Sequence, residues 1–187
     1  MDAFSYLSVL LSIILGLGLT QVLTAVGRLI RNRGSVRFYW PPLVWAGLLL
    51  VIFVQVWWSS FGLRARGTWT FAEFFVVLLQ TVALYLVAAL ALPEEVDAGG
   101  VDLRAHYYRQ APWFFGAFAL TLLISLGKDL LLEGRLPERF NLWFHLVMLA
   151  VSVGAALVRR PWYHHLVALA SAAGLAAYVV TLFSTLR

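Results

Sequence analysis

Apolar residues along this chain come in long unbroken runs, without the alternating or helical-period rhythm of a half-exposed element. Residues 48–54 read LLLVIFV. A transmembrane barrel strand alternates lipid-facing and lumen-facing positions over ~10 residues, so these runs are not barrel strands. Crossing the ~30 Å hydrocarbon layer takes about 20 helical residues. Uncharged runs of that order occur six times, at 3–27, 38–63, 74–93, 110–127, 140–158 and 161–186. The third is expected to begin nearer Thr70, with Glu73 in its first turn, and the fourth to continue through Lys128 and Asp129 to Leu132. The pattern predicts an all-α integral membrane protein, one bundle of six transmembrane helices filling residues 1–187 as a single domain.

Charge between the runs predicts orientation. Arg28, Arg31, Arg33 and Arg37 follow the first run with no acid among them. The positive-inside rule places that loop in the cytoplasm and both termini outside, N-out and C-out. Later loops agree modestly: cytoplasmic segments total eight basic residues, including Arg159 and Arg160, against six outside. The first run lacks the basic n-region of a signal peptide and is too long for its apolar core. Tyr39-Trp40-Pro41-Pro42, Trp57-Trp58, Trp69, Pro112-Trp113 and Pro161-Trp162-Tyr163 fall at run ends, where aromatic belts set depth. A weak echo between residues 13–29 and 123–136, each followed by an arginine and aromatics, would relate the first three helices to the last three as an inverted repeat.

Composition sharpens the class. Of 187 residues, 62% are apolar and 12% charged, which is too little charge to clothe a soluble globule and too much apolar content for disorder. The net charge of +5 is explained by topology and anionic lipid headgroups, so membrane lipids and not nucleic acid are the expected partners. With no cysteine, disulfides and thiolate metal sites are excluded. The four histidines offer no haem pair, since His145 lies at the outer depth and His106, His164 and His165 at the cytoplasmic end, where solvated imidazoles are expected. No cofactor or metal is expected, and no protease, phosphate-loop, nucleotide or potassium-filter motif occurs.

Candidate chemistry lies in polar residues inside the runs, which are costly in hydrocarbon and mark pathways. Glu73, Gln80, Thr81 and Tyr85 share one helical face, as do Thr121, Ser125, Lys128 and Asp129, and as do Asn141, His145 and Ser152; Gln55 and Ser59 add to them. Converging outside the midplane, these stripes predict an outward-facing cavity narrowing toward Gln80, with Glu73 paired to Lys128 because Asp129 points ~100° away. Ser8, Ser12, Gly16, Thr20 and Thr24 recur every four residues and predict a close helix contact, as does the small-residue stretch around Gly174. The expected function is a channel or carrier for an ion or small polar solute in a bacterial cytoplasmic membrane, as a homo-oligomer. The alternative is a non-transporting sensor or anchor subunit docking a cytoplasmic or membrane protein through its arginine face.

Overall fold

The computed structural model describes residues 3–97 and 99–182. Six helices are long and apolar enough to cross a membrane: α1 (Ala3–Arg31), α2 (Pro41–Ser60, prolonged by a 3-10 segment, Phe61–Ala65), α3 (Phe71–Ala91), α4 (Leu103–Glu133), α5 (Arg139–Leu157) and α6 (Pro161–Leu182). Their ends follow local chemistry. Pro41 and Pro42 occupy the first turn of α2, where a missing N–H costs nothing. Thr70 and Glu73 form a reciprocal capping box at the start of α3. Asp102 accepts from the Ala105 N–H at 3.0 Å and starts α4 earlier than the uncharged run does, so Arg104, His106 and Arg109 are helical and Pro112 lies inside the helix instead of opening it. Gly134, at φ 67°, ends α4 in the left-handed conformation with its N–H on the Leu130 carbonyl.

The helices close into a ring. α1 packs on α2 and α3, α3 on α4, α4 on α5, α5 on α6, and α6 returns to α2. An inverted repeat would require α4 to pack on α6 as α1 does on α3, and α6 on α1 as α3 does on α4; neither is a substantial helix pair. The predicted echo between the two halves is therefore not matched by their packing. Among the described residues the strands are two short ones at the arginine-rich end, where β1 (Val36–Arg37) and β2 (Val101–Asp102) pair in parallel. There Gly100, at φ 83°, leaves no room for a Cβ against the Ser35 carbonyl.

The densest part of the core lies in the arginine-rich half of the ring, and a smaller cluster of Leu7, Leu11, Val77 and Leu132 packs at the other end. Trp45, Leu49, Phe53, Phe115 and Val87 are essentially inaccessible, and Trp45 meets Phe114, Phe115 and Phe118 edge-on at 5.3–5.7 Å between ring centres. Outward faces carry exposed Leu17, Val54, Leu86, Val147 and Leu166, an apolar exterior suited to hydrocarbon.

The small-residue ridge of α1 does not face a neighbour. Ser12, Thr20 and Thr24 are exposed and open space surrounds Gly16, while α1 buries Leu7, Leu11, Leu15, Val22, Ala25 and Leu29. The branched residues bury more apolar area than a serine or glycine does, and they decide which face turns inward. Close approach occurs at Gly18 instead, where a Cβ would overlap the Phe53 ring. Ser12 keeps one link to α2, accepting from Trp57 Nε1 at 3.1 Å. Gly174 does meet a helix: Phe144 of α5 lies 3.7 Å from where its Cβ would stand.

Candidate functional site

The ring encloses a cavity of about 620 Å³ lined from all six helices. Most of its wall comes from the C-terminal halves of α2, α4 and α6 and the N-terminal halves of α1, α3 and α5, so it opens toward the end carrying links 61–70 and 134–138, while Trp45, Leu48 and Leu84 reach it from the other end. Of the residues singled out from the sequence, Gln55, Gln80, Lys128, Asp129, Asn141 and His145 all line it, joined by Thr81, Thr121 and Ser125. Helical spacing alone had placed these side chains on common faces, and the ring turns those faces toward one another.

Glu73 does not line the cavity and does not meet Lys128. Its carboxylate accepts from the Thr70 N–H at 2.7 Å and the Thr70 hydroxyl at 2.9 Å, and Arg66 Nη2 donates to its other oxygen. The capping requirement of α3 holds it at the helix start, and Arg66 supplies the counter-charge. Arg66 also donates from Nη1 to the Leu132 carbonyl at 2.8 Å, so one guanidinium staples the α2–α3 link to both α3 and α4. Lys128 instead pairs with its neighbour Asp129 at 3.5 Å. Backbone geometry sets the two Cβ atoms well apart, but the long flexible lysine stem folds back across that angle. Tyr85 and Ser152 lie off the cavity; the Ser152 hydroxyl is spent on the Met148 carbonyl at 2.7 Å.

A second polar group ties α4, α5 and α6. The Asn141 carbonyl can only accept, so His145 donates to it from Nδ1 at 2.9 Å. Its Nε2 meets the Ser125 hydroxyl at 3.3 Å. The Tyr178 hydroxyl donates to Asn141 Oδ1 at 3.0 Å. Ser171, Leu175 and Tyr178 fall at one helical face of α6 and all line the cavity. Sequence reasoning took α6 as a packing helix and missed that face, although the seven-residue interval from Ser171 to Tyr178 carried the signal. Arg66 was missed too, although Thr70-x-x-Glu73 spells a capping box.

Polarity changes with depth. At the mouth stand Arg66, Lys128 and Arg135 with Asp129, Glu133 and Glu138, three cations and three anions. The middle carries the amides of Gln55 and Gln80, the hydroxyls of Thr81, Thr121 and Ser125, and the His145 imidazole. The floor is Trp45, Leu48, Leu84, Phe118 and Met148, with Ser171 among them. Among the described residues the amides of Gln55 and Gln80 have no hydrogen-bond partner, and neither has the Ser171 hydroxyl.

Beyond Trp45 a void of about 10 Å³ touches Tyr107, Gln110 and Phe114. The arginine-rich end is closed by bonded aromatics and histidines, where the sequence pattern predicts solvated imidazoles. His164 is wholly buried, accepting from the Tyr107 hydroxyl at 2.9 Å and donating to the Val158 carbonyl at 2.7 Å. Both nitrogens are thus used within the protein, and His106 is buried as well. The Tyr39 hydroxyl joins Tyr108 at 3.0 Å and His165 Nε2 at 3.2 Å, and burial holds its phenol pKa well above the usual range. Arg31, Arg33, Arg37, Arg159 and Arg160 stand exposed at this end with Arg28 half-buried.

No protein-family model, curated protein or solved structure matches the chain.

Proposed function

We propose that the protein is an integral membrane carrier that receives a small polar solute through the mouth formed by links 61–70 and 134–138. The observation that carries this reading is the cavity itself: a chamber lined by all six helices, polar toward one end and apolar toward the other, where Trp45 stands between it and a small void backed by the closed aromatic layer. A channel needs a continuous path, whereas a carrier needs a closed state of this kind and a small movement that exchanges the closed end. By the positive-inside rule the mouth faces outward and the arginine-rich end the cytoplasm. Membrane lipids and a second copy of the chain, along the exposed Ala173, Ala176 and Ala177 of α6, are the partners that belong with this reading.

The rival is a non-transporting sensor or anchor. It is favoured by the exposed arginines, which leave a cationic surface at the closed end. Sealed vesicles separate the two. Because the chain has no cysteine, a single Gln80→Cys gives one reactive thiol in the cavity. An impermeant thiol reagent should label it from the mouth side, and also from the arginine-rich side at a rate lower by about 10- to 1000-fold, as a minor state populated at ~0.1–10% requires. Labelling confined to the mouth side overturns the carrier and favours the rival.

A further inference from the structure

Charge, hydrogen bonding and apolar surface are layered along the cavity. Phe118 on the floor and Lys128 at the mouth lie ten residues apart on α4, a depth of ~15 Å. Over that depth the wall passes from charged pairs, through uncharged amides, to apolar side chains.

Each layer restricts the occupant. Cations and anions are interleaved at the mouth, Lys128 beside Asp129, Arg135 beside Glu133 and Arg66 beside Glu73, so neither sign forms a patch and a head carrying a single net charge would meet a like charge beside its counter-charge. In the middle, Gln80 is only 9% exposed and its amide is unpartnered, as is that of Gln55. Both amides line the cavity, where an occupant's carbonyl or hydroxyl can bond them. The floor is apolar around a single hydroxyl, Ser171, at 3% exposure. A fully hydrophilic solute would fill the middle and leave the floor to water or void. The volume, about 620 Å³, lies within the ~300–1,000 Å³ of drug-sized ligand sites, which suits a compact head on one apolar tail.

We infer that the cavity takes a single-tailed amphiphile with a zwitterionic head, its head between Lys128 and Asp129, its carbonyl or hydroxyl linkage at Gln80 and Gln55, and its tail on Trp45, Phe118 and Met148. This rests on the cavity being open to ligand, as the carrier reading has it, and narrows the solute to one class.

Three probes with the same tail, bearing a terminal diazirine, test it in lipid nanodiscs holding the full chain. Their heads are phosphocholine, phosphate monoester and trimethylammonium. On irradiation the phosphocholine probe should crosslink to Leu84, Phe118 or Met148 at least tenfold more than either charged probe. Gln80→Leu should lower that floor labelling at least tenfold. Ser171→Leu, which fills the floor, should abolish it while labelling near the mouth persists. Crosslinks to the exterior residues Leu86 and Val147 should stay equal for all three heads and both variants, confirming folded protein in lipid. Equal floor labelling by all three heads, or tails found only on exterior residues, overturns the inference. If Gln80→Cys is labelled from both sides but no tail reaches the floor, this inference fails and the carrier stands. Floor labelling with thiol access confined to the mouth side has the opposite meaning.

Discussion

At the scale of single residues, Arg66 holds the mouth together. It reaches Glu73 at the start of α3 and the Leu132 carbonyl near the end of α4, joining two helix ends beside the mouth. Glu73 and Arg66 should therefore be energetically coupled: Glu73→Gln and Arg66→Met should each lower the unfolding midpoint in detergent, with the double variant less damaged than the sum. The corresponding cycle between Glu73 and Lys128 should show coupling near zero. A measurable Glu73–Lys128 coupling would contradict the geometry described. This is also where sequence reasoning fell short. Helical spacing placed Lys128 and Glu73 at similar depth, but partner choice depends on how far each side chain reaches and on which backbone groups need it. Lys128 folds onto Asp129, and Glu73 is claimed by Thr70.

At the scale of elements, the six helices were legible because uncharged runs of about 20 residues have few other uses. Their ends were less so, because hydropathy registers charge and overlooks capping. Asp102 begins α4 several residues before the charge-free run. Which face of α1 turns inward was also hidden, since leucines and small residues both form stripes. Two substitutions on that helix separate the alternatives. Gly18→Leu should destabilise by about 1–3 kcal/mol or more through overpacking against Phe53, which is itself completely buried. Gly16→Leu should stay within about ±0.5 kcal/mol, because open space surrounds it. Thermal unfolding in one detergent measures both. The β1–β2 clasp carries a pH dependence of defined sign. Hydrogen bonds from the Ala105 N–H and, after it, Arg104 lower the Asp102 carboxyl pKa below its ordinary 3.8, with Arg37 contributing less. A depressed carboxyl pKa gives stability that is complete above the unfolded pKa and lost as pH falls through the folded one. Hydrogen exchange of Val36 and Val101 should thus be independent of pH-driven opening from neutrality to about pH 5 and should accelerate below ~4. Asp102→Asn should abolish the acid-side acceleration.

At the scale of the whole molecule, the cavity and its stopper divide the ring between them. The polar stripes that sequence spacing revealed account for the middle of the chamber, because residues at intervals of four and seven must share a face. What spacing could not show was the order of helices around the ring, and hence that α6 completes the wall with Ser171 and Tyr178. Trp45 should control passage past the floor. Trp45→Ala removes the indole that separates the large cavity from the small void beside Tyr107, and should raise labelling of Gln80→Cys from the arginine-rich side at least tenfold. It should also lower stability by about 3–5 kcal/mol, a cost that a milder Trp45→Phe would largely avoid. Unchanged labelling from that side, in protein that still unfolds cooperatively, would mean the closure lies nearer the Tyr39–Tyr108–His165 group.

The closing of the ring by α6 on α2 bears on how the protein is made. The Tyr39–His165 contact joins positions 126 residues apart, so it waits for the sixth helix to leave the ribosome. If α1 to α5 take up the same packing in a bilayer before it, they would form an open arc that leaves Gln80 and Gln55 facing acyl chains and Asn141 without the hydroxyl of Tyr178. Arrival of one helix would then convert that trough into a chamber. Ribosome-stalled chains ending before Pro161 should then expose a Gln80→Cys thiol to bilayer-dissolved reagents, and chains carrying α6 should shield it.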